Sequence, residues 1–277
     1  MEKIYLQMYS FGEFDPEKTR DHLKAASEMG FSGVELFGPD FVTDALTMKK
    51  YLEEYHLEAI SLHADTDQIV SMIPYAKTLG LQFIGIGMAY LPDEAAIAAY
   101  AKKLNDIGRQ CREQGLTLTY HNHTQEFKKY GEKNVLELLL ENTDPDYLSL
   151  EIDAGWVAAA GESPEAFIEK YGNRVKLIHI KESAEVIGVM PQMNPAERKT
   201  DENGHPVFSE QEKADMEKSQ KINCPAGKGL VDWKALEKAA DAKGCAAYIV
   251  EREYSYAGER LDCLKADIDY YKSVLFN

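Results

Sequence analysis

The sequence lacks most features that mark secreted, membrane-spanning or disulfide-stabilised proteins. It has only four cysteines, and no two of them form a CxxC pair, which favours free thiols in a reducing compartment. No apolar run approaches the roughly 20 residues of a membrane-spanning helix, and the N-terminal segment has no signal-peptide pattern. We therefore expect a cytoplasmic protein without a membrane partner.

Positive charge is also scarce in this chain of 277 residues. Lys and Arg together number 31 against 47 Asp and Glu, which gives a formal net charge of −16. Nucleic-acid-binding proteins draw much of their affinity from basic side chains on phosphates. The composition therefore argues against a nucleic-acid partner, although a single site could still be locally basic.

Several common catalytic motifs are missing. No GxSxG elbow or Ser-His-Asp order is present, and no GxGxxG follows the first predicted strand. Gly85-Ile-Gly87 is only a fragment of such a motif, and the glycine-rich turn at 225–229 does not have P-loop spacing. Lys228 in that turn remains a candidate substrate-binding residue.

Strand-like and helix-like segments alternate regularly along the whole chain. Such alternation predicts parallel strands joined by right-handed crossovers, and eight units favour a (β/α)8 TIM barrel over an open sheet. We predict a single domain over residues 1–277. The predicted strands cover about residues 3–8, 33–36, 57–63, 81–88, 116–121, 147–153, 174–180 and 246–252.

One long segment, 183–223, interrupts this alternation after the seventh strand. Loops of this length inside a compact domain are usually functional or disordered. We interpret the segment as an insertion that forms a lid or faces substrate. A surface helix without function and a subunit interface are the alternatives, and a homo-oligomer is compatible with the sequence.

Four of the later strands end in polar residues at alternate positions. Residues two apart on a strand face the same side, so each pair points into the mouth of the predicted barrel. Burying several imidazoles and carboxylates together is costly unless a cation or specific partners offset it. The pairs are His121 and His123, Glu151 and Asp153, His179 and Lys181, and Glu251 and Glu253.

The joint pattern predicts one divalent metal ion. A mixed imidazole and carboxylate set suits Mn, Co, Fe or Zn better than a thiolate-type zinc site. A single strand-end histidine is more often a hydrogen-bonded core residue, so the prediction rests on the set. The expected ligands are His121, Asp153, His179 and Glu251.

Other residues near these strand ends are candidates for contact with substrate. We expect His123, Lys181 and Glu253 to lie one layer above the metal ligands, and Glu151 one layer below, where it could orient a ligand histidine. Trp156 could stack on a sugar ring or pack beneath a loop. Further candidates for substrate binding are His63, Glu35 and Glu126.

These motifs resemble the sugar phosphate isomerase/epimerase superfamily with the xylose isomerase-like barrel. The resemblance extends over nearly the whole chain, and its clearest motifs are 30–36 (GFSGVEL), 120–127 (YHNHTQEF), 150–156 (LEIDAGW) and 249–253 (IVERE). It implies a divalent metal at the C-terminal mouth of the barrel. His121 stands where well-known isomerases of the superfamily have glutamate, so their paired-glutamate proton relay does not carry over. Glu251 is the expected base, with His123, Lys181 or Glu126 as partners.

The sequence thus predicts a metal-dependent isomerase or epimerase that acts on a small sugar or keto-sugar. Proton abstraction beside a carbonyl through a metal-stabilised enediolate is the expected chemistry. A lyase or dehydratase acting on a keto-sugar or inositol derivative is the first alternative. A non-catalytic sugar-binding barrel is the second, and an apurinic-site endonuclease is disfavoured by the acidic composition.

Overall fold

Eight parallel strands close into a barrel in the computed structural model, which describes residues 3–192, 194–197, 199–200 and 206–276. Around the barrel the strands follow the chain order, and β1 closes it by pairing with both β2 and β8. This confirms the predicted TIM barrel. The strands are β1 (Ile4–Gln7), β2 (Gly33–Phe37), β3 (Glu58–His63), β4 (Phe83–Ile86), β5 (Thr117–His121), β6 (Ser149–Asp153), β7 (Val175–Ile180) and β8 (Ala247–Val250).

Helices cover the outside of the barrel, and their apolar faces form the main core with the outward residues of the strands. Two antiparallel two-residue ladders, Lys129–Tyr130 with Lys133–Asn134 and Lys199–Thr200 with Pro206–Val207, lie in the loops. The helices are α1 (Thr19–Met29), α2 (Ala45–Glu54), α3 (Ile69–Leu79), α4 (Glu94–Glu113), α5 (Val135–Glu141), α6 (Ala154–Ala159), α7 (Pro164–Tyr171), α8 (Glu210–Lys221), α9 (Trp233–Lys243) and α10 (Arg260–Leu275).

The inside of the barrel has an apolar floor beneath a polar layer. Because side chains alternate along a strand, Tyr5 and Gln7 both face inward, as do Leu177 and His179. The lower members of these pairs belong to an apolar cluster separate from the main core. The upper members are buried polar residues, so the polar groups of the barrel lie toward its C-terminal mouth.

Two helices differ from the sequence-based expectations. Helix α3 begins at Ile69 rather than near Asp65, so that the preceding residues form a loop at the mouth. Helix α6 was not expected. It follows β6 directly, because Asp153 is both the last residue of the strand and the N-cap of the helix. The described part of the insertion 183–223 contains α8, and Glu212, with three later residues of that helix, faces the barrel mouth.

Among the helices of the described residues, none is long and apolar enough to cross a membrane.

Gly108 permits α4 to lie against the loop before β6. The buried face of α4 includes Ile97, Ala101 and Leu104, and a Cβ on Gly108 would lie 1.9 Å from the carbonyl oxygen of Tyr147. Alanine favours helix by up to about 1 kcal/mol over glycine. We expect the clash with rigid backbone to outweigh this gain in helix propensity. Gly108→Ala should therefore lower the free energy of unfolding by about 1–3 kcal/mol in urea titrations.

The matched control is Gly38→Ala, because no described atom lies within 4 Å of the added methyl group there. We expect this variant to unfold within about 0.5 kcal/mol of the wild type. Equal stability of the two variants would contradict the packing argument.

Candidate metal centre and active-site cavity

A pair of glutamates points into the barrel from β2 and β6. Glu35 is the register partner of Gln7 on β1, and Glu151 is the register partner of His121 on β5. Because register partners on parallel strands face the same side of the sheet, both glutamates face inward. Glu35 and Glu151 are both fully buried inside the barrel.

These glutamates form a deep cluster with two histidines. The Nε2 atom of His63 lies 2.9 Å from Glu151 Oε2 and 3.4 Å from Glu35 Oε1. The Nε2 atom of His179 hydrogen-bonds Glu35 Oε2 at 2.8 Å and lies 2.6 Å from Glu151 Oε1, the latter without hydrogen-bond geometry. Gly85 makes room for this cluster, since a Cβ there would lie 2.6 Å from His63 Cδ2.

The charges of the deep cluster offset one another. Burial alone would lower the pKa of His63, but the carboxylates of Glu35 and Glu151 raise it to about 9. Burial would raise the pKa of Glu151, yet the two neighbouring imidazoles hold it well below its usual range. Burial and the charge of Glu151 raise the pKa of Glu35. The imidazoles and carboxylates of the deep cluster therefore stabilise one another's charges beneath the mouth.

Above it, His121, Asp153, His179 and Glu251 converge. One ligand atom from each lies within 4.8 Å of those of the other three. Asp153 and His179 are register partners on β6 and β7, whereas Glu251 follows the last residue of β8. The structure therefore brings together all four residues that the sequence analysis selected.

Two atoms of this upper set are buried without a hydrogen-bond partner among the described residues. They are Nδ1 of His121 and Oδ2 of Asp153. The other oxygen of Asp153 accepts a 2.7 Å hydrogen bond from the backbone N–H of Trp156 at the start of α6. Buried polar atoms left unpaired are costly, and a cation bound between them would satisfy both.

His179 connects the two layers. Its Nε2 faces the deep glutamates, and its Nδ1 lies 3.4 Å from Glu251 Oε2 in the upper set. Metal-ligating histidines usually donate their second ring N–H to a carboxylate or carbonyl, which fixes the orientation of the ring. Glu35 and Glu151 provide that support here.

A second group also has metal-ligand spacing: His63, His121, Glu151 and His179. Three of its members already bind one another as ion pairs in the deep cluster. His121 belongs to both groups, and Glu151 Oε1 of the second group lies 2.6 Å from the His179 ring as an ion pair. Asp153 Oδ2 has neither a hydrogen bond nor an ion pair among the described residues, which makes the upper set the better candidate.

A cavity of about 590 Å³ opens above the upper set at the C-terminal mouth. Of the predicted site residues, the cavity is lined by His63, His121, His123, Trp156, Glu251 and Glu253. Burial lowers the pKa of His123 to about 4, so this imidazole is neutral at pH 7. Residues from the insertion complete the wall: Met190, Pro191, Glu212, Asp215, Met216 and Ser219.

Lys181 is held beside the cavity rather than in it. Its ammonium lies 2.5 Å from Glu253 Oε1 and 3.8 Å from the centre of the Trp156 ring. Burial would lower the pKa of Lys181, but Glu253 and Asp153 raise it by more. A lysine that keeps its proton in this way is poorly suited to act as a general base.

Three predicted substrate-binding residues do not line the cavity. Glu35 lies in the deep layer, where its carboxylate binds Gln7 and His179. Glu126 is buried, with Oε1 accepting from the Tyr120 hydroxyl at 3.0 Å and Oε2 from the His123 N–H at 2.8 Å. Burial raises its pKa to about 7. We infer that it fixes the loop that carries His123.

Lys228 is the third, and it is exposed. Its turn is held from the inside by Glu182, whose Oε1 accepts a hydrogen bond from the N–H of Gly227. Lys228 is not among the residues that line the cavity.

Three residues that line the cavity were not predicted from the sequence. Gln7 and Phe37 are the last residues of β1 and β2, and Tyr9 lies two residues after β1. Gln7 donates a 2.6 Å hydrogen bond to Glu35 and lines the cavity. Its place at a strand end, two residues after inward-facing Tyr5, is the signal that could have identified it.

A profile of the xylose isomerase-like TIM barrel family matches residues 23–274. The chain belongs to this family. Among its relatives, an inosose dehydratase of Lacticaseibacillus casei is 26% identical over 252 residues, which are 80% of this chain and 77% of the relative. An inosose dehydratase of Clostridium tetani is 33% identical over 93 residues, or 33% of this chain and 30% of the relative. In two further inosose dehydratases, from Clostridium beijerinckii and Bacillus cereus, the alignment covers 62% and 63% of the relative.

Solved structures of the xylose isomerase-like barrel share this fold. A sugar phosphate isomerase/epimerase from Parabacteroides distasonis matches with a TM-score of 0.71 and 21% identity, over 98% of this chain and 93% of the other. The IOLI protein with a bound zinc atom matches with a TM-score of 0.70 and 13% identity, over 99% and 98%. At these identities the likeness establishes the fold.

Proposed function

We propose that this barrel is a divalent-metal-dependent enzyme that removes a proton beside the carbonyl of a keto-sugar or keto-inositol and eliminates water. The convergence of His121, Asp153, His179 and Glu251 at the cavity floor, with two buried atoms unpaired, carries the proposal. Mn, Co, Fe or Zn suit this ligand set. The zinc bound by the similar IOLI barrel is consistent with it.

In this proposal each residue of the site has a separate chemical role. A cation held by the four ligands would polarise the carbonyl oxygen of the substrate. Glu251 lines the cavity and would take the α-proton. The same proton then leaves with the β-hydroxyl, so that one C–H and one C–O bond break and one water is released. Neutral His123 and the Trp156 ring would orient the sugar.

Elimination is favoured over isomerisation for two reasons. His121 takes the place of the glutamate on which the paired-glutamate relay of epimerases depends, so one of its two bases is missing. The relatives aligned over most of this chain include an inosose dehydratase. An isomerase or epimerase remains the second candidate, since solved barrels of this fold include a sugar phosphate isomerase/epimerase.

Metal content is the first test. We expect about one Mn, Co, Fe or Zn ion per wild-type chain and nearly none in His179→Ala, measured by elemental analysis after dialysis. His56→Asn is the matched control, because His56 has a positive φ of 55°, which asparagine tolerates, and lies away from the site. No metal in the wild type after reconstitution would refute the proposal.

The reaction type is tested separately by incubating the metal-loaded protein with keto-sugars and inososes in D₂O. Elimination predicts a product lighter by one water in mass spectrometry. A product that has lost no water and is heavier by one mass unit for each deuterium incorporated would instead support isomerisation or epimerisation.

A further inference from the structure

The outer part of the cavity differs in character from its floor. We call it the outer cavity, and it is lined by aromatic and thioether side chains from several parts of the mouth. Its apolar lining consists of Tyr9, Phe37, Phe41, Met88, Met190 and Met216.

One part of this lining is a preassembled aromatic cluster. The rings of Tyr9 and Phe37 meet edge to face at 5.6 Å between centroids, and Phe14 packs on both, at 5.1 Å and 5.8 Å. Tyr9 is 38% exposed and Phe14 49% exposed although neither side chain is needed to fill the core. Apolar surface left open in a concave site commonly marks a binding surface.

Thioether side chains from two other parts of the mouth extend the apolar lining. Met88 follows β4 and is 54% exposed, and Met216 on α8 is 39% exposed. Methionine side chains adapt their shape and make favourable contacts with aromatic rings. A flat aromatic group in the outer cavity could therefore contact both aromatic rings and thioethers.

The cavity is too large for a single sugar. A hexose has about twelve non-hydrogen atoms, and even at the roughly 30 Å³ that a water molecule occupies in the liquid these take only about 360 Å³. The cavity measures about 590 Å³. Space for a substituent therefore remains once a sugar ring covers the floor.

The charges around the cavity are negative. Asp65, Glu212 and Asp215 line its outer part, and Glu251 and Glu253 line its inner part. Within the described ranges, no lysine or arginine lines it. A phosphate group in the outer part would lie near Asp65 and Asp215 with no lysine or arginine of the described ranges on the cavity wall, which disfavours a phosphorylated substrate.

We propose that the outer cavity binds an uncharged aromatic group attached to the sugar, so that the substrate is an unphosphorylated aromatic glycoside whose sugar ring carries a ketone. Simple glycosides that lack this ketone serve as non-reacting analogues of the substrate. The inference rests on the proposed function for the sugar at the floor, and it adds the class of substituent. A second sugar fits less well, because several of its hydroxyls would face rings and thioethers without hydrogen-bond partners.

The test compares matched ligands in equilibrium binding by calorimetry. The probes are methyl and phenyl β-glycosides of glucose, galactose and xylose, together with cellobiose and glucose 6-phosphate. We expect the phenyl member to bind about tenfold more tightly in at least one pair, since aromatic contacts of this kind contribute about 0.5–1.5 kcal/mol beyond buried area.

Two single variants locate the effect. Tyr9→Ala and Met216→Ala each remove one apolar side chain from the lining of the outer cavity. Both residues are exposed enough to change without disturbing the core. Each is expected to lose most of the preference for phenyl over methyl while affinity for the methyl glycoside stays unchanged. Tyr90→Ala is the control, because Tyr90 is similarly exposed at 37% and does not line the cavity.

The inference is overturned if phenyl and methyl glycosides bind equally in every pair, if the preference survives in both wall variants, or if cellobiose or glucose 6-phosphate binds more tightly than every phenyl glycoside. Because binding is measured without turnover, this result is independent of the metal and proton-exchange tests. A protein that lacks activity yet keeps the phenyl preference would refute the proposed function alone.

Discussion

Glu251→Gln is expected to lower kcat of the metal-loaded protein by about 10²–10⁴, the range that a general base contributes. Glutamine has the same size and keeps one oxygen for the cation, but it cannot accept the α-proton. We therefore expect metal to remain bound at or near the wild-type amount while the exchange of the α-proton in D₂O stops. Elemental analysis and proton NMR on the same samples separate the two effects.

Glu113→Gln is the matched control, since Glu113 lies on the outside of α4 and pairs with exposed Arg109. This variant is expected to exchange the α-proton in D₂O at the wild-type rate. If Glu251→Gln exchanges the α-proton at the wild-type rate, another group removes it, and His123 is the next candidate because it also lines the cavity.

Arg252→Met is expected to cause the largest loss of stability, about 3–5 kcal/mol. Arg252 is buried after β8, and its guanidinium binds Asp267 through Nε and, at 2.8 Å, through Nη2. Nη1 lies 2.6 Å from Asn223 Oδ1, and Nη2 lies 3.1 Å from the carbonyl oxygen of Cys224. Removing the arginine leaves a buried carboxylate without its counter-charge, and urea denaturation measures the cost.

Arg109→Met provides the comparison, because an exposed i,i+4 ion pair contributes only about 0.3–0.5 kcal/mol. The double change Arg252→Met with Asp267→Leu should recover much of the loss, since both charges are then absent. A loss below about 1 kcal/mol in the single variant would show that water reaches Asp267 and solvates it.

The barrel and the convergence of the four candidate ligands were predictable from the sequence because both follow from short-range periodicity. Alternation of side chains along a strand places His121, Asp153 and His179 on the inner face whatever the detailed pairing. The order of strands around the barrel follows from the succession of β and α segments, since consecutive parallel strands become neighbours.

The depth of each side chain was not predictable in the same way. Glu35 was expected to contact substrate, yet it lies beneath the mouth, where Gln7 and His179 bind its carboxylate. These partners come from β1 and β7, and the residue types within β2 do not encode which distant side chains meet there. Glu126 differed for a similar reason, because its partners are the Tyr120 hydroxyl and a backbone N–H.

Because of the insertion after β7, the residues proposed to carry out the reaction and many of those proposed to select the substrate lie on different elements. The proposed ligands lie on or directly after strands of the barrel, whereas much of the outer cavity wall comes from α8, none of whose residues is buried. Sequence changes on the inner face of α8 can therefore accumulate with little effect on the core. In evolution or in the laboratory, the range of accepted substrates can diversify while the reaction chemistry is retained.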